Sequence, residues 1–399
     1  MHISRLFHRW LADACPWMHA MRREALKVVV VAAMRGTQLT VTGLGRSIRS
    51  RAREKHCIKR ADRLLSNVNL QAQCFDVYQA QARRILGAAQ RPVVIVDWSN
   101  LDKSQTLFLL RASTPLGGRS LTLYEEVHPL GGKEKPKVHQ VFLQRLRAVL
   151  PSGCRPIVVT DAGFRTPWFK QVERFGWNWI GRIRHRHLLD FAHQDRWVTC
   201  KSLYEQATGR PKALGEARVT RNSPTECRLV LYRAKPKGRV KSTRFGQRAR
   251  SRRSEKNAAR EREPWLLATS LATSSKLAKR VVDLYATRMQ IEEAFRDIKS
   301  ARYGLSLEYS GTRKLQRLRV LLLIGSLAMM LLWLLGRATE LTNQHRQYQA
   351  NTIKHRAVLS TIFLGLQVLD DSRVVLTVKD MQAAAKALHA IVKTYTGEA

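Results

Sequence analysis

RPVVIVD, residues 91–97, reads as a strand buried on both faces, and RPIVVTD, residues 155–161, repeats its pattern. In each, a proline precedes four consecutive β-branched residues and an aspartate closes the run, Asp97 in the first and Asp161 in the second. Continuous β-branched runs without polar alternation mark central strands of a sheet covered on both sides. Ligands of open α/β sheets collect where strands end, and both carboxylates stand there. The chain then turns polar or small (Ser99-Asn100 and Ala162-Gly163), as a rim loop does. One apolar strand ending in aspartate is commonplace, its acid usually a cap or turn residue; two near-identical ones are harder to set aside.

Around these strands the pattern is α/β. Gln105–Ala112 and Ser120–Glu126, joined through Pro115-Leu116-Gly117-Gly118, carry a β-hairpin signature. Lys137–Leu150 predicts an amphipathic helix, Trp168–Gly176 another, and Trp179–Ile183 a further strand. An acidic strand, a hairpin, a helix and a parallel acidic strand together predict a ribonuclease-H-like catalytic core. Its first part is expected over 89–184 and its second over 265–335, with a β-rich insertion at 185–264. A helical C-terminal region, 336–399, follows, with breaks at Gly365 and Asp370-Asp371.

Residues 1–88 predict a helical DNA-binding domain. LTVTGLGRSIRSRAREKHCIKRADRLLSN (39–67) reads as two short helices about an arginine-rich turn, Thr42 capping the first. Arg46, Lys55, Lys59, Arg60 and Arg63 are its candidate DNA contacts. A helix-turn-helix that reads bases and a basic helix that only lies on phosphates both fit this pattern. Val320–Leu335 is an apolar run of sixteen residues between Arg319 and Arg337. It is shorter than the roughly 20 residues a bilayer requires, which predicts a buried core helix rather than a membrane span.

Composition says what the acids would act on. Lys plus Arg number 71 against 30 acids, a net charge of +41, with a pI near 11.1. Such an excess implies a polyanionic partner, nucleic acid first. Between Arg233 and Arg262 there are 13 Lys/Arg against two acids, which reads as an extended arm that orders on a phosphate backbone. Six cysteines without CxxC or zinc-finger spacing predict reduced, structural thiols in a cytosolic, nucleoid-associated protein. The N-terminal segment lacks the apolar core of a secretory signal.

YATRMQIEEAFRDIK (285–299) supplies a third acid. On a continuous helix, Tyr285, Arg288, Glu292 and Lys299 fall at roughly 0°, 300°, 340° and 320°. Leu284, Ile291, Phe295 and Ile298 form the adjoining apolar arc, and Glu293 and Asp297 point elsewhere. A phenol and two cations suit phosphate oxygens, and a carboxylate suits a divalent metal; a solvated face laced with ion pairs is the plainer reading. Asp97, Asp161 and Glu292 become a candidate catalytic triad and metal-ligand set. Three such acids repel unless cations neutralise them, and hard oxygen ligands favour Mg²⁺. Two ions can serve an in-line displacement at phosphorus, and Mn²⁺ is an expected substitute.

These residues resemble the signature of the bacterial DDE transposases of insertion-sequence family four: Tyr, two residues, Arg, three residues, Glu, six residues, Lys. VDWSN around Asp97 and VTDAGF around Asp161 are similar to that family's other catalytic blocks. LGR at 44–46, LRAS at 110–113, GRSLTLYE at 118–125 and TRMQIEE at 287–293 extend the likeness over nearly the whole chain. The resemblance implies cut-and-paste transposition through a DNA hairpin, with Tyr285, Arg288 and Lys299 on phosphates of the cleaved end. It also implies base-flip stacking by Trp265, with Met289 as the wedge, although Trp265 is equally compatible with ordinary core and Met289 with a gap filler. Terminal inverted repeats, target DNA and a homodimer on paired ends are the expected partners. A ribonuclease-H-like nuclease without strand transfer, an inactive DNA-binding derivative and a basic structural protein are the alternatives.

Overall fold

The computed structural model describes residues 3–395 apart from 103, 185–186, 192–193, 236–246, 249, 253, 256–258, 260–262, 303 and 354. Most of the expected basic arm therefore lies outside the described residues. The chain forms two compact units, one from Met1–Pro156 with Met289–Ala399, the other Ile157–Arg288.

The first unit begins with helices α1 (Ile3–Ala14), α2 (Ala20–Gly36), α3 (Val41–Arg46), α4 (Glu54–Leu65) and α5 (Val68–Leu86). The two short helices about an arginine-rich turn are thus present as α3 and α4. The cap, however, is Thr40, not Thr42: the Thr40 hydroxyl accepts from the Gly43 N–H at 2.9 Å, leaving Thr42 inside the first turn. Strands β1 (Val93–Asn100), β2 (Leu107–Pro115) and β3 (Ser120–Pro129) follow as an antiparallel sheet in the order β3-β2-β1, then helix α6 (Pro136–Val149). The β2–β3 turn uses Gly117 at φ 71° and Gly118 at φ 117°, which only glycine adopts without strain.

The second unit holds β4 (Ile157–Thr160), α7 (Thr166–Arg174), β5 (Asn178–Ile183), β6 (Leu188–Phe191), β7 (Trp197–Thr199), β8 (Lys212–Val219), β9 (Thr225–Tyr232), β10 (Trp265–Thr269) and α8 (Leu277–Ala286). β4 and β5 are parallel, as a helical crossover demands. β10 joins β5 on one side and β9 on the other, both antiparallel, and β8 and β6 extend the sheet from β9. The β-rich stretch expected as an insertion supplies β6–β9, and β9 pairs with β10 in one sheet.

Beyond this unit come α9 (Met289–Lys299), α10 (Leu315–Leu341), α11 (Thr361–Val368) and α12 (Val378–Thr394), all in the first unit. The signature segment is not one helix. It breaks at Thr287-Arg288, where the Thr287 hydroxyl bonds the Leu284 carbonyl at 2.7 Å and the next amides reach back three residues instead of four. A continuous wheel therefore applies only within Met289–Lys299.

α10 is the core of the first unit. It is the one helix among the described residues long and apolar enough to cross a membrane, and 89% of its most apolar window is buried inside the protein. At 27 residues it outruns the sixteen-residue apolar run, since its amphipathic ends extend past Arg319 and Arg337. It packs against α2, α5, β3, α11 and α12. Gly365 does not break a helix. It lies within α11, where a Cβ would overlap the Leu332 carbonyl, and a Cβ on Gly336 would overlap the Thr361 carbonyl. The two glycines let α10 and α11 touch backbone to backbone; Asp370-Asp371 does mark the end of α11.

Gly365→Ala is expected to lower stability by about 1–3 kcal/mol through overpacking. Helix propensity alone would give a gain of roughly 1 kcal/mol, so a denaturant melt showing stabilisation would overturn this account of the contact.

Candidate active site

In the first unit, Asp97 closes the fully buried part of β1 and is 9% exposed. Its Oδ1 accepts the Trp98 N–H at 2.8 Å. Strand alternation places Asp97 and Ser99 on one face and Trp98 on the other. On the Trp98 face, the indole Nε1 donates to Nε2 of His139, on α6, at 3.0 Å, with the His128 ring 5.5 Å away, edge-on. Burial, aided by the neighbouring His128, pushes the His139 imidazole down to about 4, so it stays a neutral acceptor.

On the Asp97 face, register sets Asp97 opposite Arg111 on β2, and Arg111 opposite Glu125 on β3. This gives an acid–base–acid row across three strands. Arg111 and Glu125 are both buried and paired at 2.7 Å, and the Tyr78 hydroxyl from α5 donates to Glu125 at 2.8 Å. The Arg111 guanidinium lies 4.9 Å from the centre of the Phe295 ring on α9. The face that bears Asp97 is thus the face on which the Glu292 helix rests.

α9 is pinned at both ends. Near its start, the Gln290 side chain accepts the Leu116 N–H at 2.9 Å from the β2–β3 turn. At its end, Lys299 Nζ donates to the Ser99 hydroxyl at 2.7 Å and the Asn100 carbonyl at 3.2 Å, on the rim just past Asp97. Burial lowers the Lys299 pKa, and the charge of Arg111 adds to the effect. Glu292 and Lys299 are seven residues apart, two turns, and so share one stripe about 10.5 Å long. Glu293 is committed elsewhere, to Arg296 at 2.7 Å and Arg119 at 3.9 Å. Asp297 is buried against Arg119 Nε at 2.6 Å, and burial raises its pKa. Sequence reading missed Arg111, Glu125, Arg119, Gln290 and His139. Arg111 and Glu125 interrupt apolar strand runs, the one signal that could have flagged them; Arg119 in its turn, Gln290 and His139 carry none. Met289 opens α9, half-buried.

In the second unit, Asp161 follows β4 half-exposed, its Oδ1 accepting the Gly163 N–H at 2.8 Å. Trp265, at the start of β10, is half-buried; its ring meets Tyr285 edge-on at 5.0 Å and Tyr232 at 5.7 Å. Tyr285 is itself buried, and the Arg288 guanidinium lies 6.0 Å from its ring centre. Trp265, Tyr285 and Arg288 are therefore gathered together here, whereas Lys299 and Glu292 belong to the helix after the break.

Of the N-terminal candidates, Arg46 pairs with Glu54 at 2.8 Å and Lys59 with Asp62 at 3.5 Å, all at the surface. Lys59, Arg60 and Arg63 line a cavity of about 580 Å³ with Arg22, His19 and His56; Lys55 is exposed on the same helix.

Among the described residues, no group of three or more His, Cys, Asp or Glu stands close enough to hold a metal ion. The donor chemistry of Asp97, Asp161 and Glu292, all hard carboxylate oxygen, fits Mg²⁺. The six cysteines are buried free thiols.

The transposase DDE domain matches residues 88–331, more than half of the chain. The chain belongs to this family: it is a DDE-type transposase, an enzyme of DNA transposition. No curated protein matches it.

Below about pH 6.5 an unfolded imidazole takes up a proton that folded His139 refuses until about pH 4. Stability therefore falls as pH drops through that window, by up to roughly 3 kcal/mol. His139→Gln, which accepts from Trp98 without titrating, is expected to flatten the melting profile between pH 6.5 and 4; a slope as steep as the parent's would exonerate His139.

Proposed function

We propose that this transposase belongs to insertion-sequence family four, near the transposase of the tetracycline-resistance transposon, and excises its element through a DNA hairpin. In this reading a ribonuclease-H-like core spans 89–184 and 265–335 with a β-rich segment at 185–264, preceded by a DNA-binding domain and followed by a helical region with dimer contacts. Asp97, Asp161 and Glu292 are the metal ligands. Mg²⁺, or Mn²⁺ in its place, would supply Lewis-acid stabilisation of the charge that develops at phosphorus.

Four displacements follow from one site. Water attacks a phosphodiester at the element's end, and the bond to the 3′ oxygen breaks to free a 3′-hydroxyl. That hydroxyl attacks the opposite strand, closing a hairpin on the element and releasing the flanking DNA. A second water opens the hairpin, and the regenerated 3′-hydroxyl attacks target DNA. Tyr285, Arg288 and Lys299 retain phosphates of the cleaved end so that the same hydroxyl can be used again. Trp265 stacks a flipped base and Met289 fills the gap it leaves, easing the sharp bend of the hairpin. Arg46, Lys55, Lys59, Arg60 and Arg63 hold the terminal inverted repeats, and a homodimer pairs two ends beside the nucleoid.

The observation that most supports this reading is the tie from Lys299 to Ser99, which sets the helix bearing Glu292 on the face of β1 bearing Asp97. A nuclease without strand transfer would share the three acids. It has less use for Tyr285, Arg288 and Lys299, because a simple nuclease releases its ends.

Glu292→Gln is expected to abolish Mg²⁺-dependent cleavage of a labelled terminal fragment while end binding persists in gel shifts. Glu293→Gln should still cleave, since its carboxylate serves Arg119 and Arg296; the reverse pattern would refute the assignment. Binding should weaken steeply with salt, the slope of log K against log salt scaling at about −0.9 per phosphate neutralised; a flat slope would argue against a phosphate-tracking surface.

A further inference from the structure

Trp265 begins a strand, and strand ends ordinarily fray. This one is held by a clamp within the second unit. Arg182 on β5 reaches past its partner strand, and its Nη2 donates to the Glu263 carbonyl at 3.1 Å and the Pro264 carbonyl at 3.2 Å. Arg184, two residues on, donates through Nε to Glu263 Oε2 at 2.8 Å and makes a second bond to the same oxygen through Nη2. Glu263 is thus gripped by its backbone from one arginine and by its carboxylate from the other. Pro264, with φ fixed by its ring, links this grip stiffly to Trp265. Past the clamp, β10 pairs Trp265 with Tyr232 and Leu266 with Ile183.

The indole is bounded by rings as well. Tyr232 lies directly across the strand pair, and Tyr285 lies edge-on from α8, their planes 65° and 72° from that of the indole. Two edge contacts and a clamped backbone leave the indole plane little freedom. Burial lowers the pKa of Arg182, the mark of a charge taken from water to hold two carbonyls. A guanidinium so placed has a function beyond covering apolar surface.

We propose that Glu263, held by Arg182 and Arg184, is a positioning residue that fixes the Trp265 ring for stacking a flipped base. The inference rests on the stacking role given to Trp265 above. It assigns Arg182, Arg184 and Glu263 no contact with DNA; they act through the indole. Loss of the clamp should therefore spare the first nick and impair the step that needs the bend.

The test uses the full-length protein, Mg²⁺ and a labelled duplex bearing the element's terminus, scored for nick and hairpin. Glu263→Gln is expected to lower the hairpin-to-nick ratio about tenfold, the scale of a small misplacement, with first-strand nicking within about threefold of the parent. Glu263→Asp should recover part of the ratio. Glu263→Gln combined with Trp265→Ala should be no worse than Trp265→Ala alone, since both act through one ring. A parent-like ratio in Glu263→Gln beside a stalled Trp265→Ala overturns the clamp and leaves stacking intact. Additive defects overturn it too, because Glu263 would then act by another route. Normal hairpins from Trp265→Ala remove the stacking role, and the clamp's purpose with it. Should Glu263→Gln lose end binding, Arg184→Lys, which keeps the charge and forfeits the forked bond, is judged by the same ratio.

Discussion

A guanidinium that never meets solvent organises the first unit. Arg111 is 1% exposed and answers to Glu125 on the next strand, while Asp97 stands opposite it on the strand before. Tyr78 brings α5 to the same carboxylate, and Phe295 lays α9 over the guanidinium. Such a pair adds little net stability over an apolar substitute, yet removing one partner strands a charge at a cost of about 3–5 kcal/mol. Its value is registry. A slip of one residue between β1 and β2 would turn Asp97 to the Trp98 face, away from Arg111 and the helix that rests there.

Close backbone approaches complete the frame. Gly325 of α10 leaves room for Ile298 of α9 and for Leu39, either of which a Cβ would crowd at 2.9 Å. The long apolar helix at the core of this unit thereby supports the helix that carries Glu292. Its length, enough for a bilayer by composition, is used on the interior instead, and Gly336 and Gly365 bring α11 down on its far end. Membership of the transposase DDE domain family accords with this mixed α/β construction, and the family match ends at residue 331, within α10.

How far the site could be read without coordinates depended on how local each signal was. Asp161 was legible because a β-branched run fixes a strand and the aspartate follows its end. Asp97 was read the same way, but pairing with β2 carries β1 on to Asn100, so Asp97 stands within the strand and Ser99-Asn100 are strand rather than loop. The Glu292–Lys299 stripe was legible because both residues follow the helix break. Tyr285 and Arg288 were phased against Glu292 on a continuous helix, and that failed at Thr287. Its hydroxyl competes for the Leu284 carbonyl, which a wheel cannot register. Thr42 lost its capping place to Thr40 by two residues, the usual margin at helix ends. Gly365 was misread because a glycine admitting a neighbouring backbone looks, in one dimension, like a glycine ending a helix.

The sequence alone determined most element types, the strongly basic character and the two β-branched runs that carry Asp97 and Asp161, since periodicity, charge and turn chemistry are properties of neighbours along the chain. Only the tertiary structure decided that the Glu292 helix rests on the Asp97 face of β1, that Arg111 and Glu125 are paired under α9, that Lys299 grips the rim beside Asp97, and that Arg182 and Arg184 close on Glu263. Those contacts join residues from 14 to 200 positions apart in sequence by way of sheet register and helix packing, and no local pattern encodes a register.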